Sequence, residues 1–190
     1  MALIGANELK RKLMIVVDGQ PYTVLEVSFA TPSARGASTM VRTRLRHLLT
    51  GAVQERSFKT SEKFQEPDVQ LVPASFLYAD NEGCHFMDDT SYDQFHLSLN
   101  QVGEDRAYLK DGTQLQILKY NGEPVSLQLP QFVELLVTAT EPGARGDTAA
   151  GGAMKQATLE TGLSVRVPLF IKEGEVVRVD TRTGEVAGRA

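Results

Sequence analysis

The sequence predicts an all-β chain of three small β-barrels, and three observations carry that prediction. Turn signals come first: Asp18-Gly19, Asp111-Gly112, Asn121-Gly122 and Thr183-Gly184 separate short runs rich in Val, Leu, Ile, Tyr and Thr, the pattern of hairpins. Helical periodicity is scarce, and the best helical candidate is a short stretch near Tyr92 to Val102. One unit also recurs. VVDGQPYTVLEV at 16–27 and KYNGEPVSLQLP at 119–130 are each a hairpin turn followed by proline and a strand. KEGEVVRVDTRTGEV at 172–186 has the same character without the proline. Three such units in 190 residues suggest three barrels rather than one sandwich.

Proline disfavours helix in the residue before it and marks boundaries, which puts junctions near Glu66-Pro67 and Leu129-Pro130. The predicted domains are therefore 1–66, 67–130 and 131–190. In the first, Leu25, Val27 and Phe29 place apolar groups on one face of a strand. The segment Thr31-Pro32-Ser33-Ala34-Arg35-Gly36-Ala37-Ser38 holds no large apolar residue, so it is expected to project as a hairpin loop. Gly36 beside Arg35 lets the backbone approach another molecule closely.

After the loop, Val41, Thr43 and Leu45 alternate with Arg42, Arg44 and Arg46. Residues two apart on a strand share a face at about 6.6 Å, so the three guanidinium groups form a row while the other face packs inward. Like charges in a row repel, and a phosphate backbone lying along them relieves that repulsion. A solvated barrel face is the plainer alternative.

Charge supports a local polyanion site. The formal net charge is -4, yet residues 1–60 hold nine basic side chains against four acidic ones. A basic first third on an acidic body means that the overall charge hides a local polyanion site, with a solvated charged face as the plainer reading. The longest apolar runs, such as Leu13 to Val17, are too short to span a bilayer, and no secretory signal is evident at the N-terminus. The single cysteine, Cys84, fits a reducing compartment, so the cytoplasm is the expected location.

Two other function classes are weaker. His47, His85 and His96 with Cys84, Asp88 and Asp89 are the candidates for a metal or catalytic cluster. Cys84 and His85 are adjacent, so on a strand they point to opposite faces, and no second Cys or His follows at ligand spacing. The glycines at 143, 146, 151 and 152 lack the terminal Gly-Lys-Ser/Thr of a phosphate-binding loop. His47, on the inward side of the arginine strand, is expected to pack or bond locally. No enzyme activity, metal or cofactor is expected. A general binder of single-stranded RNA or DNA needs aromatic platforms among basic residues. Here aromatics total 7%, and Phe76, Tyr78 and Phe86 lie among Asp80, Glu82 and Asp88.

PSARGAST, the basic strand behind it and LLTG at 48–51 resemble the first domain of bacterial translation elongation factor P. FLYADNEGCHFMDDTSYDQF at 76–95 resembles the second domain of that family. EPGARGDT at 141–148, KQATLETGLSVRVPLFIKEG at 155–174 and VDTRTGE at 179–185 are similar to the third. The resemblance covers essentially the whole chain. It implies an SH3-like domain followed by two OB-like domains in an L shape. It further implies binding to both ribosomal subunits beside the peptidyl-tRNA, and relief of stalling at consecutive prolines.

Carried onto this sequence, the resemblance makes Arg35 the loop tip that reaches the peptidyl-transferase centre, flanked by Pro32, Ser33, Ala34, Gly36 and Ala37. Arg35 is also a candidate substrate for an arginine-modifying enzyme, since some arginine-tipped members are modified and others bare. Gly146, Asp147 and Thr148 take the place of the loop facing the small subunit and messenger RNA. Arg42, Arg44, Arg46 and Arg189 are the candidate RNA-binding cations. Three features depart from the family pattern. The segment from Phe29 to Leu48 is about two residues longer than in lysine-tipped members, a length that loop entropy tolerates. Its text is closer to the elongation factor P-like branch, whereas the GDT loop is closer to the main one. Val186 stands where the family has a tyrosine.

Overall fold

The computed structural model describes residues 2–30, 39–142 and 153–190. Strands dominate them, as predicted. The first sheet has the order β2-β3-β4-β5, from β2 (Met14–Val17), β3 (Gln20–Ala30), β4 (Met40–His47) and β5 (Val53–Lys59). Short β1 (Ile4–Gly5) pairs with β6 (Lys63–Phe64) beside it. A second sheet uses β7 (Val69–Ala79), β8 (Gly83–Asp88), β9 (Gln94–Ser98), β10 (Gln114–Tyr120) and β11 (Glu123–Gln128) in the order β11-β10-β7-β8-β9. The third runs β14-β13-β12-β15-β16, from β12 (Phe132–Thr140), β13 (Met154–Leu159), β14 (Ser164–Pro168), β15 (Val176–Asp180) and β16 (Val186–Arg189). No helix among the described residues is long and apolar enough to cross a membrane.

Two of the turn signals act as expected in forming tight hairpins. Asp18 and Gly19 (φ 50° and 75°) join β2 to β3, and Asn121 and Gly122 (φ 50° and 80°) join β10 to β11. Both central residues at positive φ give the turn whose twist matches the strands. Thr183-Gly184 lies between the paired β15 and β16. Asp111-Gly112 differs: it leads from the 3-10 stretch Gly103–Tyr108 into β10, and the Gly112 amide donates to Phe76 O at 3.0 Å.

The helical candidate near Tyr92 to Val102 is part strand and part helix. β9 takes 94–98, and only Leu99–Val102 is helical (α1) before the chain tightens into the 3-10 stretch. Phe95 and Leu97 on one side and His96 on the other obey the two-residue period, which the polar residues around them mask.

Two compact units are present. The first comprises Met1–Leu71, Leu97–Gln101 and Leu118–Ser126. Its core gathers Ile15, Val17, Val24, Val41, Leu45, Phe58 and Phe64, with Leu48, Leu118 and Val125 in a second cluster. The second unit comprises Val72–His96, Val102–Ile117 and Leu127–Ala190, with a core of Leu135, Val137, Leu159, Val167, Ile171 and Val177 among others.

Candidate nucleic-acid interface

β4 is the element that sorts charge from core. Val41, Thr43 and Leu45 are buried, while Arg42 and Arg44 are exposed and Arg46 is half-buried. Val41 and Leu45 enter the core, and the Thr43 hydroxyl donates to Arg56 O at 2.9 Å, so the inward face leaves no buried hydroxyl unsatisfied. The expected alternation is therefore present.

The apolar face of β3 departs from expectation. The pairing with β4 slips between Val24 and Glu26, so Leu25 is an inserted residue. Val24 is fully buried, Leu25 and Val27 are half-buried, and Phe29 is 56% exposed. Phe29 stands opposite Val41 near the end of the ladder, where the described sheet stops covering it.

Register shows how the three arginines differ. Arg42 lies opposite Ser28 and Ser57, and no described residue forms an ion pair with it. Arg44 lies between Glu26 on β3 and Glu55 on β5, and its Nη1 stands 3.4 Å from Glu26 Oε1. Arg46 lies opposite Thr23 and Val53; its Nη1 is 3.5 Å from Gln101 O, and its Nε is buried without a partner. The row therefore runs from an exposed cation through a paired one to a half-buried one.

The strand's C-terminal end is held by His47. Its Nδ1 accepts the amides of Leu49 and Thr50 at 3.1 and 3.3 Å, and its Nε2 lies 3.1 Å from Gln20 Oε1. Two amides on Nδ1 require that nitrogen to be bare, so Nε2 carries the proton and donates to Gln20. Tyr22 meets the ring edge-on at 5.0 Å. His47 is thus a local turn cap. The glycine of LLTG has its own reason: Gly51 sits at φ 73°, and a Cβ there would meet Asn100 Cβ at 2.7 Å. The Gln101 amide group donates to Leu48 O and Leu49 O at 3.2 and 3.4 Å, which anchors the same turn.

Arg189, on β16, is engaged within the second unit. Its Nη2 is 3.2 Å from Glu175 Oε1, and its guanidinium lies 4.9 Å from the centroid of Phe170. The loop residues Pro32, Ser33, Ala34, Arg35, Gly36 and Ala37, and likewise Gly146, Asp147 and Thr148, lie outside the described residues.

The aromatic residues of the middle sheet divide by face. Phe76 and Phe86 point inward, edge to face at 5.7 Å, and Phe86 stacks on Phe95 at 5.9 Å. The ladder slips between Phe76 and Tyr78, which turns Tyr78 outward onto His85 at 4.4 Å, with His96 a further 5.7 Å along. His85 Nε2 is 2.8 Å from Asp80 Oδ2. The Glu82 amide, the Gly83 amide and His85 outweigh desolvation and hold the Asp80 carboxyl below its ordinary range. Burial pushes the Cys84 thiol up, which disfavours thiolate chemistry at neutral pH. The sequence places these residues close together; only the bulge tells which of them share a face.

Comparison with known proteins agrees with this geometry. The family model described as "Elongation factor P (EF-P) KOW-like domain" matches residues 5–64. The "Elongation factor P (EF-P) OB domain" matches 69–127, and "Elongation factor P, C-terminal" matches 133–189. Elongation factor P of Moorella thermoacetica is 45% identical over 188 residues, covering 99% of this chain and 100% of that protein. Elongation factor P 2 of Protochlamydia amoebophila is 40% identical, covering 100% of this chain and 98% of that protein. Elongation factor P of Natranaerobius thermophilus is 42% identical over 98% of each. With three consecutive domain matches and relatives alike from end to end, the chain belongs to the elongation factor P family.

Proposed function

We propose that this translation elongation factor binds the ribosome next to peptidyl-tRNA and promotes peptide-bond formation where proline-rich sequences stall. The observation that carries the reading is the outward row of Arg42, Arg44 and Arg46 backed by a buried Val41, Thr43 and Leu45. A rigid strand holds these cations at phosphate-like spacing, and such contacts position a protein on RNA without reading its sequence. The three domains are 1–66, 67–130 and 131–190 in this reading, each close to the span of one family-model match.

The factor supplies no acid, base or nucleophile. Its Arg35 loop orders the acceptor end of the peptidyl-tRNA, so the nascent chain spends more time in a reactive geometry. Positioning alone contributes about 7–11 kcal/mol in the most favourable cases. Proline needs that help because its ring fixes φ and constrains the nascent chain. A guanidinium suits the task, since its flat fork binds phosphate or stacks on a base. Gly146, Asp147 and Thr148 face the small subunit and messenger RNA, and a modifying enzyme acting on Arg35 is a further partner. The site of action is the cytoplasm.

The test is a reconstituted translation reaction that times synthesis through a triple-proline stretch, paired with the intact mass of the protein from its native host. Faster synthesis with the protein is the expected result, and Arg35→Ala is expected to abolish it at an unchanged unfolding midpoint. Acceleration by protein of unmodified mass assigns the work to bare Arg35; acceleration only with added mass makes the modification part of the mechanism. No acceleration by either form would sink the stalling-relief reading in favour of a general RNA binder.

A further inference from the structure

β8 passes into β9 through the turn Asp88-Asp89-Thr90-Ser91-Tyr92-Asp93, which Asp88 organises from below. Asp88 is buried, and its Oδ1 accepts the amides of Thr90 and Ser91 at 2.8 and 3.1 Å. Its carbonyl accepts the Tyr92 amide at 2.9 Å, and its own amide donates to Asp93 O at 2.9 Å. The next residue is fixed as well: the Asp89 amide donates to Pro73 O at 3.0 Å, and its Oδ1 accepts the Ser75 hydroxyl at 2.6 Å. A turn bonded at this many points has one shape.

That shape puts Tyr92 forward. Its φ is 62°, in the left-handed region where glycine or asparagine is relaxed and a bulky side chain is strained. The side chain is 72% exposed, more than any other large apolar one among the described residues. No described residue makes a ring contact or a side-chain hydrogen bond with it. Packing therefore gives no return for the strain, whereas a partner that covers the ring does.

Charge says what kind of partner. Residues 64–105 hold nine carboxylates and no lysine or arginine. Asp93, beside Tyr92, is exposed, and no described residue bonds its carboxylate. A nucleotide stacked on Tyr92 would bring its phosphate into this field and be repelled. An arginine- or lysine-bearing protein surface is attracted instead, and its cation can lie over the ring while pairing with Asp93.

We propose that the Asp88–Asp93 turn is a protein-docking contact, with Tyr92 as its anchor and a basic protein surface on the ribosome as its partner. The inference rests on the ribosome-binding reading and adds a second contact, of opposite charge to the arginine row. Tyrosine suits an anchor because it gives a large rigid contact with few torsions to freeze.

Tyr92→Gly removes the ring and relaxes the backbone together. The probe is ribosomes carrying peptidyl-tRNA in the P site, with the affinity of the full chain measured by co-sedimentation. The variant is expected to bind on the order of tenfold more weakly at an unchanged unfolding midpoint, and Tyr92→Phe to retain most of the affinity. Asp93→Lys is expected to weaken binding too, and a benzophenone side chain in place of Tyr92 to crosslink to a lysine- or arginine-rich protein segment. Wild-type affinity in Tyr92→Gly would overturn the proposal and leave the arginine row intact. Weaker binding with a lower midpoint would make Tyr92 a structural residue and also overturn it. Tighter binding by Asp93→Lys, or crosslinks to RNA, would make the turn an RNA contact and overturn the protein partner. A wild-type protein that fails to bind ribosomes would remove the proposed function and this contact with it, a distinguishable result.

Discussion

Arg44 Nη1 stands 3.4 Å from Glu26 Oε1 across the β3–β4 ladder, so the central cation of the arginine row carries its own counter-charge. Both side chains are well exposed, at 48% and 70%, and an exposed pair contributes about 0–1 kcal/mol to stability. On the proposed reading of the row as an RNA contact, RNA would have to compete with Glu26 for Arg44. Glu26→Gln is expected to tighten ribosome binding by about two- to fivefold at low salt. The unfolding midpoint in urea is expected to stay nearly unchanged. Weaker binding in this variant would show that Glu26 itself touches the partner.

The two ends of the row separate in a similar way. Arg42 is exposed with no described ion-pair partner, whereas Arg46 is half-buried and lies against Gln101 O. Arg42→Ala should therefore lower ribosome affinity and flatten the salt slope by about one at unchanged stability. Arg46→Ala should also cost about 1 kcal/mol of folding free energy, from lost packing of its stem and the lost bond. Equal stability in the two variants would refute the distinction.

How much of this was legible beforehand depends on the range of the interaction. The two-residue period of 41–46 is local, so the inward Val41 and Leu45 and the outward arginines follow from the sequence. Asp18-Gly19 and Asn121-Gly122 are legible for the same reason, since the backbone of each pair sets its own turn. Leu25 departs from the apolar face because a one-residue bulge between Val24 and Glu26 interrupts the alternation, and Phe29, opposite the inward Val41, is exposed because it lies near the end of the ladder; no local pattern announces either. Glu26 and Glu55 beside Arg44 depend on cross-strand register, 18 and 11 positions away in the chain. The hold of Glu175 and Phe170 on Arg189 is equally non-local.

Gly51 gives a stability prediction with a steric cause. Its φ of 73° disfavours any side chain, and the Cβ of alanine would sit 2.7 Å from Asn100 Cβ. The left-handed backbone and the overlap together put the expected cost of Gly51→Ala at about 2–4 kcal/mol. Urea unfolding should show a lower midpoint with an unchanged slope. Gly51→Asn tests the second cause, since asparagine tolerates the backbone but not the overlap. A variant as stable as wild type would mean that Asn100 yields.

Asp180 supplies the pH prediction. Its carboxylate accepts the Arg182 amide at 2.8 Å and Arg182 Nε at 3.1 Å on one oxygen, and Arg182 Nη2 at 2.8 Å on the other. The Arg182 guanidinium is the largest cause, followed by its amide, and together they lower the Asp180 pKa from 3.8 to about 2. The carboxylate thus binds its proton less readily in the folded protein than in the unfolded chain. A depressed pKa stabilises the fold above the unfolded value, and that stabilisation is lost as pH falls through the folded one. Asp180→Asn removes the titrating group and the guanidinium's partner together. The wild type's advantage in thermal midpoint over Asp180→Asn should be full above about pH 4 and shrink toward about pH 2. The same Asp180 residue receives the Gly184 amide on its backbone carbonyl at 2.8 Å, so the variant should loosen the β15–β16 hairpin first. Hydrogen exchange at Gly184 and Glu185 should report that loosening. A pH-independent difference in midpoint would mean that the Arg182 contact does not persist in solution.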